Sequence, residues 1–219
     1  MSNRKRHMKN HDLQVDDNIH GDLMEENKVN DKVIGERITS ASSQRISTKT
    51  MALIAVMTAL TCVLAPLSIP IGPVPISLTN LAIYFGLYIL GMKLETISYI
   101  VYLLIGFVGV PVFSGFTGGA GKLLGPTGGY LIGFVPMAIV AGFLIDKFDG
   151  KPVYSVIGMI IGTAICYALG TAWFTVQADY EVMPALALCV FPFLPGDAAK
   201  IAIAAFFGPQ IKKALRRMA

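Results

Sequence analysis

Past Met51 the chain has no histidine and little charge. All three histidines (His7, His11 and His20) lie within the first 20 residues, so the remainder offers no imidazole for metal ligation or general-base chemistry. His7 and His11 stand four apart, a spacing helical metal ligands use. No apolar periodicity surrounds them, and they read as solvated. The three cysteines, Cys62, Cys166 and Cys189, sit singly in apolar runs without CxxC spacing. That excludes a disulfide framework or a thiolate metal site and leaves them as small buried hydrophobes. Charged residues make up 15% of the 219 positions, against about a quarter in a soluble domain. About half of them fall before Met51. The net charge of +4 therefore belongs to flanks and loops and marks no nucleic-acid-binding face.

What fills the chain instead is apolar sequence. Hydrophobic residues reach 54% and the mean hydropathy is +0.62, the signature of a polytopic membrane protein. Residues 1–50 form a polar tail of alternating Lys, Arg, Asp, Glu and Asn. It has too little apolar surface to offset the entropy of ordering, and disorder or a loose helix is expected there. No apolar run follows Arg4–Arg6 closely enough for a secretory signal. The membrane domain is expected to occupy residues 51–219.

The first span covers about Met51 to Ala65. Within it Ala55 and Ala59 make a small-xxx-small step that admits a second helix at close range in lipid. Internal packing is the plainer use of such a step. Pro66, Pro70, Pro73 and Pro75 then forbid regular helix and predict a stiff apolar loop or broken helix. Further spans are expected at about 76–90, 96–110, 129–145, 153–176 and 195–211, with GMKLE and DKFDGKP as turns. Gly158-x3-Gly162 marks close helix packing. A short apolar stretch, 185–193, is broken from the last span by Pro192 and Pro195. The reading is an all-α integral membrane protein with six transmembrane helices. Lys93, Lys147, Lys151, Lys212, Lys213, Arg216 and Arg217 fall on the side of the tail, so both termini are expected to be cytoplasmic.

Two stretches stand apart from this pattern. Pro111 to Phe134, PVFSGFTGGAGKLLGPTGGYLIGF, holds eight glycines and two prolines between apolar runs. Irregular backbone at membrane depth persists only where protein buries it or it lines a cavity. An ordinary loop would be polar, whereas Phe113, Phe116, Leu123, Leu124 and Tyr130 run through this one and only Lys122 is charged. It is not a phosphate loop. Counting back from Gly121-Lys122 puts Phe116 where the first glycine belongs, and Leu123 replaces the hydroxyl that holds magnesium.

The second stretch is LPGDAAKIAIAAFF, where Asp197 and Lys200 lie in otherwise apolar sequence. Their i, i+3 spacing sets them on one helical face. Ionisable groups inside a membrane are costly and mark ligand or ion paths, the plainer alternative being a self-satisfied ion pair that anchors a helix end. A carboxylate beside an ammonium presents acceptors and donors together, which suits a urea-like, amide or zwitterionic ligand.

These residues resemble a known family, the biotin-specific substrate-binding components (BioY) of energy-coupling-factor transporters. The resemblance runs from about Met51 to Arg217. It rests on VPVFSGFTGGAGKLLGPTGGYLIGF, supported by PVPISL and PFLPGDAAK. It implies a six-helix protein that captures biotin outside the plasma membrane of a prokaryote. Delivery then passes through a transmembrane coupling protein and two ATPase subunits, with no cofactor of the chain's own. It implies ligand contact at Asp197 and Lys200, at Tyr130, and in the loop of Phe113, Gly115, Phe116, Thr117 and Thr127. It also implies partner docking at Ala55 and Ala59. Two positions depart from the family's pattern: Thr79 stands where members tend to carry Gln, and Gly115 and Phe116 lie near where some carry Asn.

A stand-alone secondary transporter driven by an ion gradient is the alternative. Such folds show inverted repeats and paired broken helices, and this chain has no convincing repeat and one clear glycine-rich break. An intramembrane enzyme is disfavoured, because no Ser or Cys has a base to pair with. The chain contains no ATPase motif, which suits a receptor powered by separate subunits.

Overall fold

The computed structural model describes residues 28, 32, 47–70 and 74–218. The expectation for the tail therefore lies outside the described residues. Residues Thr48–Ala219 form one unit, and the order of elements within it explains how the site is built.

Helix α1, Thr48–Leu64, buries Met57, Thr58 and Thr61. Its Thr58 hydroxyl meets the Ser98 hydroxyl at 2.9 Å and donates to the Ser98 carbonyl at 3.2 Å. Ala55 and Ala59 lie on the opposite, exposed face. The proline-rich connection that follows is neither plain loop nor broken helix. It contains a two-stranded antiparallel ribbon, β1 (Ser68–Ile69) against β2 (Ile76–Ser77). Among the described residues the secondary structure is helical apart from this ladder and one isolated bridge, Phe113 to Thr117, and prolines at its margins keep the ladder short.

Helix α2, Thr79–Phe107, has one non-helical residue inside it, Gly91, at φ 78° and ψ 173°. A positive φ there suits glycine, which has no Cβ to clash. The chain doubles back at this point. Gly86 lies so close to the buried Glu95 carboxyl that a Cβ would strike it, although nine residues of straight helix span about 13 Å. Thr79 likewise lies beside Tyr102. The expected GMKLE turn is therefore a one-residue corner, pinned by the Met92 amide donating to Asp146 Oδ2 at 2.8 Å.

The glycine-rich stretch folds into a lid, with a short helix α3, Ala120–Leu124, at its end. Gly115 (φ 75°) and Phe116 (φ 56°) both take left-handed backbone, closing a tight turn bridged by Phe113 and Thr117. The Gly115 amide donates to the Pro66 carbonyl at 3.1 Å and the Gly119 amide to the Gly106 carbonyl at 2.7 Å. Tyr102 donates its hydroxyl to the Val112 carbonyl at 3.1 Å. These backbone groups of the lid are thereby satisfied within protein.

Helices α4, Gly128–Lys147, and α5, Pro152–Ala178, pack along a seam of glycines. Gly158 abuts Ala141 and Leu144, Gly162 abuts Met137, Gly133 abuts Cys166, and Gly170 receives the Tyr130 ring. The close packing expected at Gly158 and Gly162 is present. Small residues are what allow helices to approach in lipid, where no hydrophobic force drives them together. Helix α6, Val182–Cys189, and helix α7, Leu194–Met218, are bent by 50° across the break at Val190–Phe193. By length and composition α2, α4 and α5 are each apolar enough to cross a membrane, as is the bent α6–α7 pair taken together, while α1 is a shorter apolar helix.

Candidate functional site

A cavity lies where the first arm of α2, the lid, the starts of α4 and α7, and the middle of α5 converge. Its space amounts to about 660 Å³ when the part open to solvent at its mouth is counted. Val74, Leu131, Phe134 and Phe193 give it apolar walls, and Ser77, Asn80, Tyr167, Asp197 and Lys200 form a hydrogen-bonded polar end.

That end is organised around Asp197. The bend between α6 and α7 brings the first turn of α7 into the bundle, leaving Asp197 7% and Lys200 8% exposed. Lys200 Nζ lies 3.0 Å from Asp197 Oδ1, the pair that i, i+3 spacing predicts. Asn80 Nδ2 donates to the same oxygen at 2.8 Å, and the Tyr167 hydroxyl donates to Oδ2. Lys200 also donates to the Ser77 carbonyl at 2.7 Å. Two buried charges are costly to desolvate unless further hydrogen bonds satisfy them, and here those bonds come from three other elements, α2, α5 and β2.

The arithmetic leaves capacity for a ligand. A carboxylate accepts at about four lone-pair positions and an ammonium donates three hydrogens. Asp197 accepts from three groups and Lys200 donates to two. One acceptor position, on Asp197 Oδ2, and one hydrogen of the Lys200 ammonium remain. A neutral group carrying both N–H and C=O matches them.

The other predicted residues divide. Tyr130 and Thr127 line the cavity. Tyr130 contributes its ring, because its hydroxyl is engaged by Thr171 at 2.9 Å. Phe113, Gly115, Phe116 and Thr117 do not line it. Phe113 is fully buried behind the lid, edge-on to Tyr102 at 5.6 Å and against Gly106. The left-handed turn carries Phe116 outward, where it is 67% exposed. Thr117 hydrogen-bonds its own loop at the Ser114 carbonyl, 3.0 Å away, and Ser114 is the residue of that turn that reaches the cavity.

Asn80, Ser77, Tyr167 and Lys122 also line the cavity and were missed as site residues. Asn80 carried a usable signal, a lone amide in an apolar run. Tyr167 carried none, since an aromatic within a membrane helix is ordinary. Thr79, where the family resemblance leads one to expect Gln, is fully buried and bonded to the Ser77 hydroxyl at 2.9 Å. The side-chain amide facing Asp197 comes from the next residue. No cluster of metal-ligating side chains occurs among the described residues.

The profile of the BioY family matches residues 38–217. The chain belongs to the BioY family. The match runs through α1 to nearly the end of α7 and so takes in every residue of the cavity. A biotin transporter BioY of Thermotoga maritima is 39% identical over 158 residues, 72% of this chain and 92% of that protein. A biotin transporter BioY2 of Lactococcus lactis subsp. cremoris is 35% identical over 167 residues, 75% of this chain and 91% of that one. Among solved structures, the crystal structure at 2.1 Å of the S-component for biotin from an ECF-type ABC transporter superposes with a TM-score of 0.70 at 32% identity. The overlap covers 75% of this chain and 91% of that one. The BioY fold seen here is that of a multi-pass membrane protein.

Proposed function

We propose that this chain is the biotin-binding S-component of an energy-coupling-factor transporter. It captures biotin at the outer face of a prokaryotic plasma membrane and passes it inward with a transmembrane coupling protein and two ATPase subunits. It is a receptor, not an enzyme, and needs no cofactor of its own. The observation that carries this reading is the polar end of the cavity: Asp197 and Lys200 each keep one hydrogen-bond position free beside apolar walls. Biotin's ureido ring offers the matching N–H and C=O, and its ring sulfur and aliphatic tail suit the walls. Relatives named as biotin transporters, covered over nine-tenths of their length, support the same ligand.

In this reading six segments cross the membrane: α1, the two arms of α2, α4, α5 and α7. Support for cytoplasmic termini comes from the charge at one end of the unit. There Asp149 pairs with Lys212 and Arg216, and Asp146 holds the α2 corner beside Lys93. Asp197 and Lys200 contact the ureido group, while Tyr130 and Thr127 wall the ligand. Phe113, Gly115, Phe116 and Thr117 frame the lid over it. Ala55 and Ala59, exposed on α1, form the surface for the coupling protein. Residues 1–50 are a dispensable tail beside the 51–219 binding domain.

Calorimetry on the purified single chain tests the ligand. Biotin is expected to bind and thiamine and riboflavin are not; equal binding of all three would sink the assignment.

A further inference from the structure

The cavity holds one more charge than its ureido-binding end accounts for. Asp197 and Lys200 neutralise each other at 3.0 Å. Lys122, half-buried on α3, lines the same cavity and makes no ion pair among the described residues. Asp179 and Glu181, which flank Tyr180 in the chain, line neither this cavity nor the neighbouring one. That neighbouring cavity, bounded by Pro126, Phe174 and Tyr180, shares Lys122 and Thr127 with the ligand cavity. Lys122 therefore borders both the ligand cavity and this vestibule, with no ion-pair partner among the described residues.

A half-buried ammonium with no acidic partner among the described residues favours an anion. Biotin, the ligand of the proposed function on which this inference rests, carries its one full charge on a carboxylate at the far end of an aliphatic chain. The neutral ureido ring fits the self-compensated Asp197–Lys200 end, which has no net charge to offer a carboxylate. The apolar wall of Leu131, Phe134 and Phe193 accommodates the chain between them. We propose that Lys122 is the counter-ion of the ligand's carboxylate and determines specificity for the free acid over uncharged derivatives. Its position on both cavities means that it meets the carboxylate in the vestibule and retains it once the ring is seated.

The test uses the full-length chain in nanodiscs, with biotin and its uncharged amide as probes. The parent should prefer biotin to biotin amide. Lys122→Met should weaken biotin by about ten- to a hundred-fold, the loss of one charge-assisted bond. Biotin amide should stay within about two-fold of the parent, which also reports that the site is folded. Lys122→Arg should restore the preference. If Lys122→Met weakens both ligands equally, the lysine only shapes the lid, and if it leaves the preference intact, the carboxylate is held elsewhere. Either result overturns the inference while the biotin reading stands. A parent that binds neither probe overturns the biotin reading, and this inference with it.

Discussion

Two ion pairs, one at each end of the molecule, use the same chemistry to opposite effect. Asp197 and Lys200 have side chains 10% exposed and share Asn80, Tyr167 and Ser77 as further partners. Asp149 and Arg216 form a two-pronged pair with bonds of 2.6 and 3.0 Å, yet they are 59% and 63% exposed. The exposed pair has the shorter closest contact. Length does not decide what each is worth; the surroundings do. Water and salt screen the exposed pair, whereas a buried charge that loses its partner is left in a medium that cannot solvate it. The buried pair should thus dominate binding, and the exposed pair should barely register.

The sharpest way to break that comparison is to remove one buried partner. Asp197→Ala and Lys200→Ala should each weaken biotin by about 2–4 kcal/mol, or about thirty- to a thousand-fold. The double mutant should lose less than the two losses combined, because neither charge is then stranded. Equilibrium binding of all three variants decides it: parental affinity throughout would make the pair a mere anchor.

A smaller loss should follow from trimming the shell. Tyr167→Phe and Asn80→Ala each remove one donor to Asp197 and should cost about 1 kcal/mol, near five-fold in Kd. Were Tyr167→Phe as damaging as Asp197→Ala, the tyrosine would have to touch the ligand itself.

At the other end, Ala55→Trp or Ala59→Trp should leave the Kd for biotin within about two-fold while uptake by the assembled transporter collapses, since a bulky side chain blocks close helix approach. Binding and uptake falling together would make these alanines internal packing.

The smallest effect belongs to Asp149→Asn, with no measurable change in biotin binding. The Arg216 guanidinium beside Asp149 holds its carboxyl below the ordinary value of 3.8. A carboxyl lowered on folding contributes stability above its unfolded pKa and loses it as pH falls through the folded value. Any stabilisation is therefore present at neutral pH, fades below about 3.8, and shrinks with added salt. Thermal melts of parent and variant at neutral pH and low salt should nearly coincide; a large gap would mean that exposure does not separate the two pairs.

Much of this was legible along the chain because the signals were local. Charge in an apolar run marks a costly position wherever the run folds, and i, i+3 spacing is short enough for helix geometry alone to join Asp197 to Lys200. Small residues at Gly158 and Gly162 declared a close helix seam for the same reason. Prolines announced that 66–75 is irregular, but not that Ser68 and Ser77 would pair in a ribbon, because pairing depends on a partner strand.

What only the tertiary structure decided is who completes the site. Asn80 lies 117 residues from Asp197 and Tyr167 lies 30 away, and no local period relates them. They meet because α2 reverses at Gly91, α5 packs on α4 through glycines, and the α6–α7 bend turns the start of α7 inward. The lid makes the same point. Its glycines foretold irregular backbone over a cavity, yet the left-handed turn at Gly115 and Phe116 points Phe116 out and lets Ser114 and Lys122 reach in. Residue types marked a costly charged pair and an irregular glycine-rich stretch in this membrane protein. The direction each side chain faces was fixed by backbone torsions and by helices arriving from elsewhere in the chain.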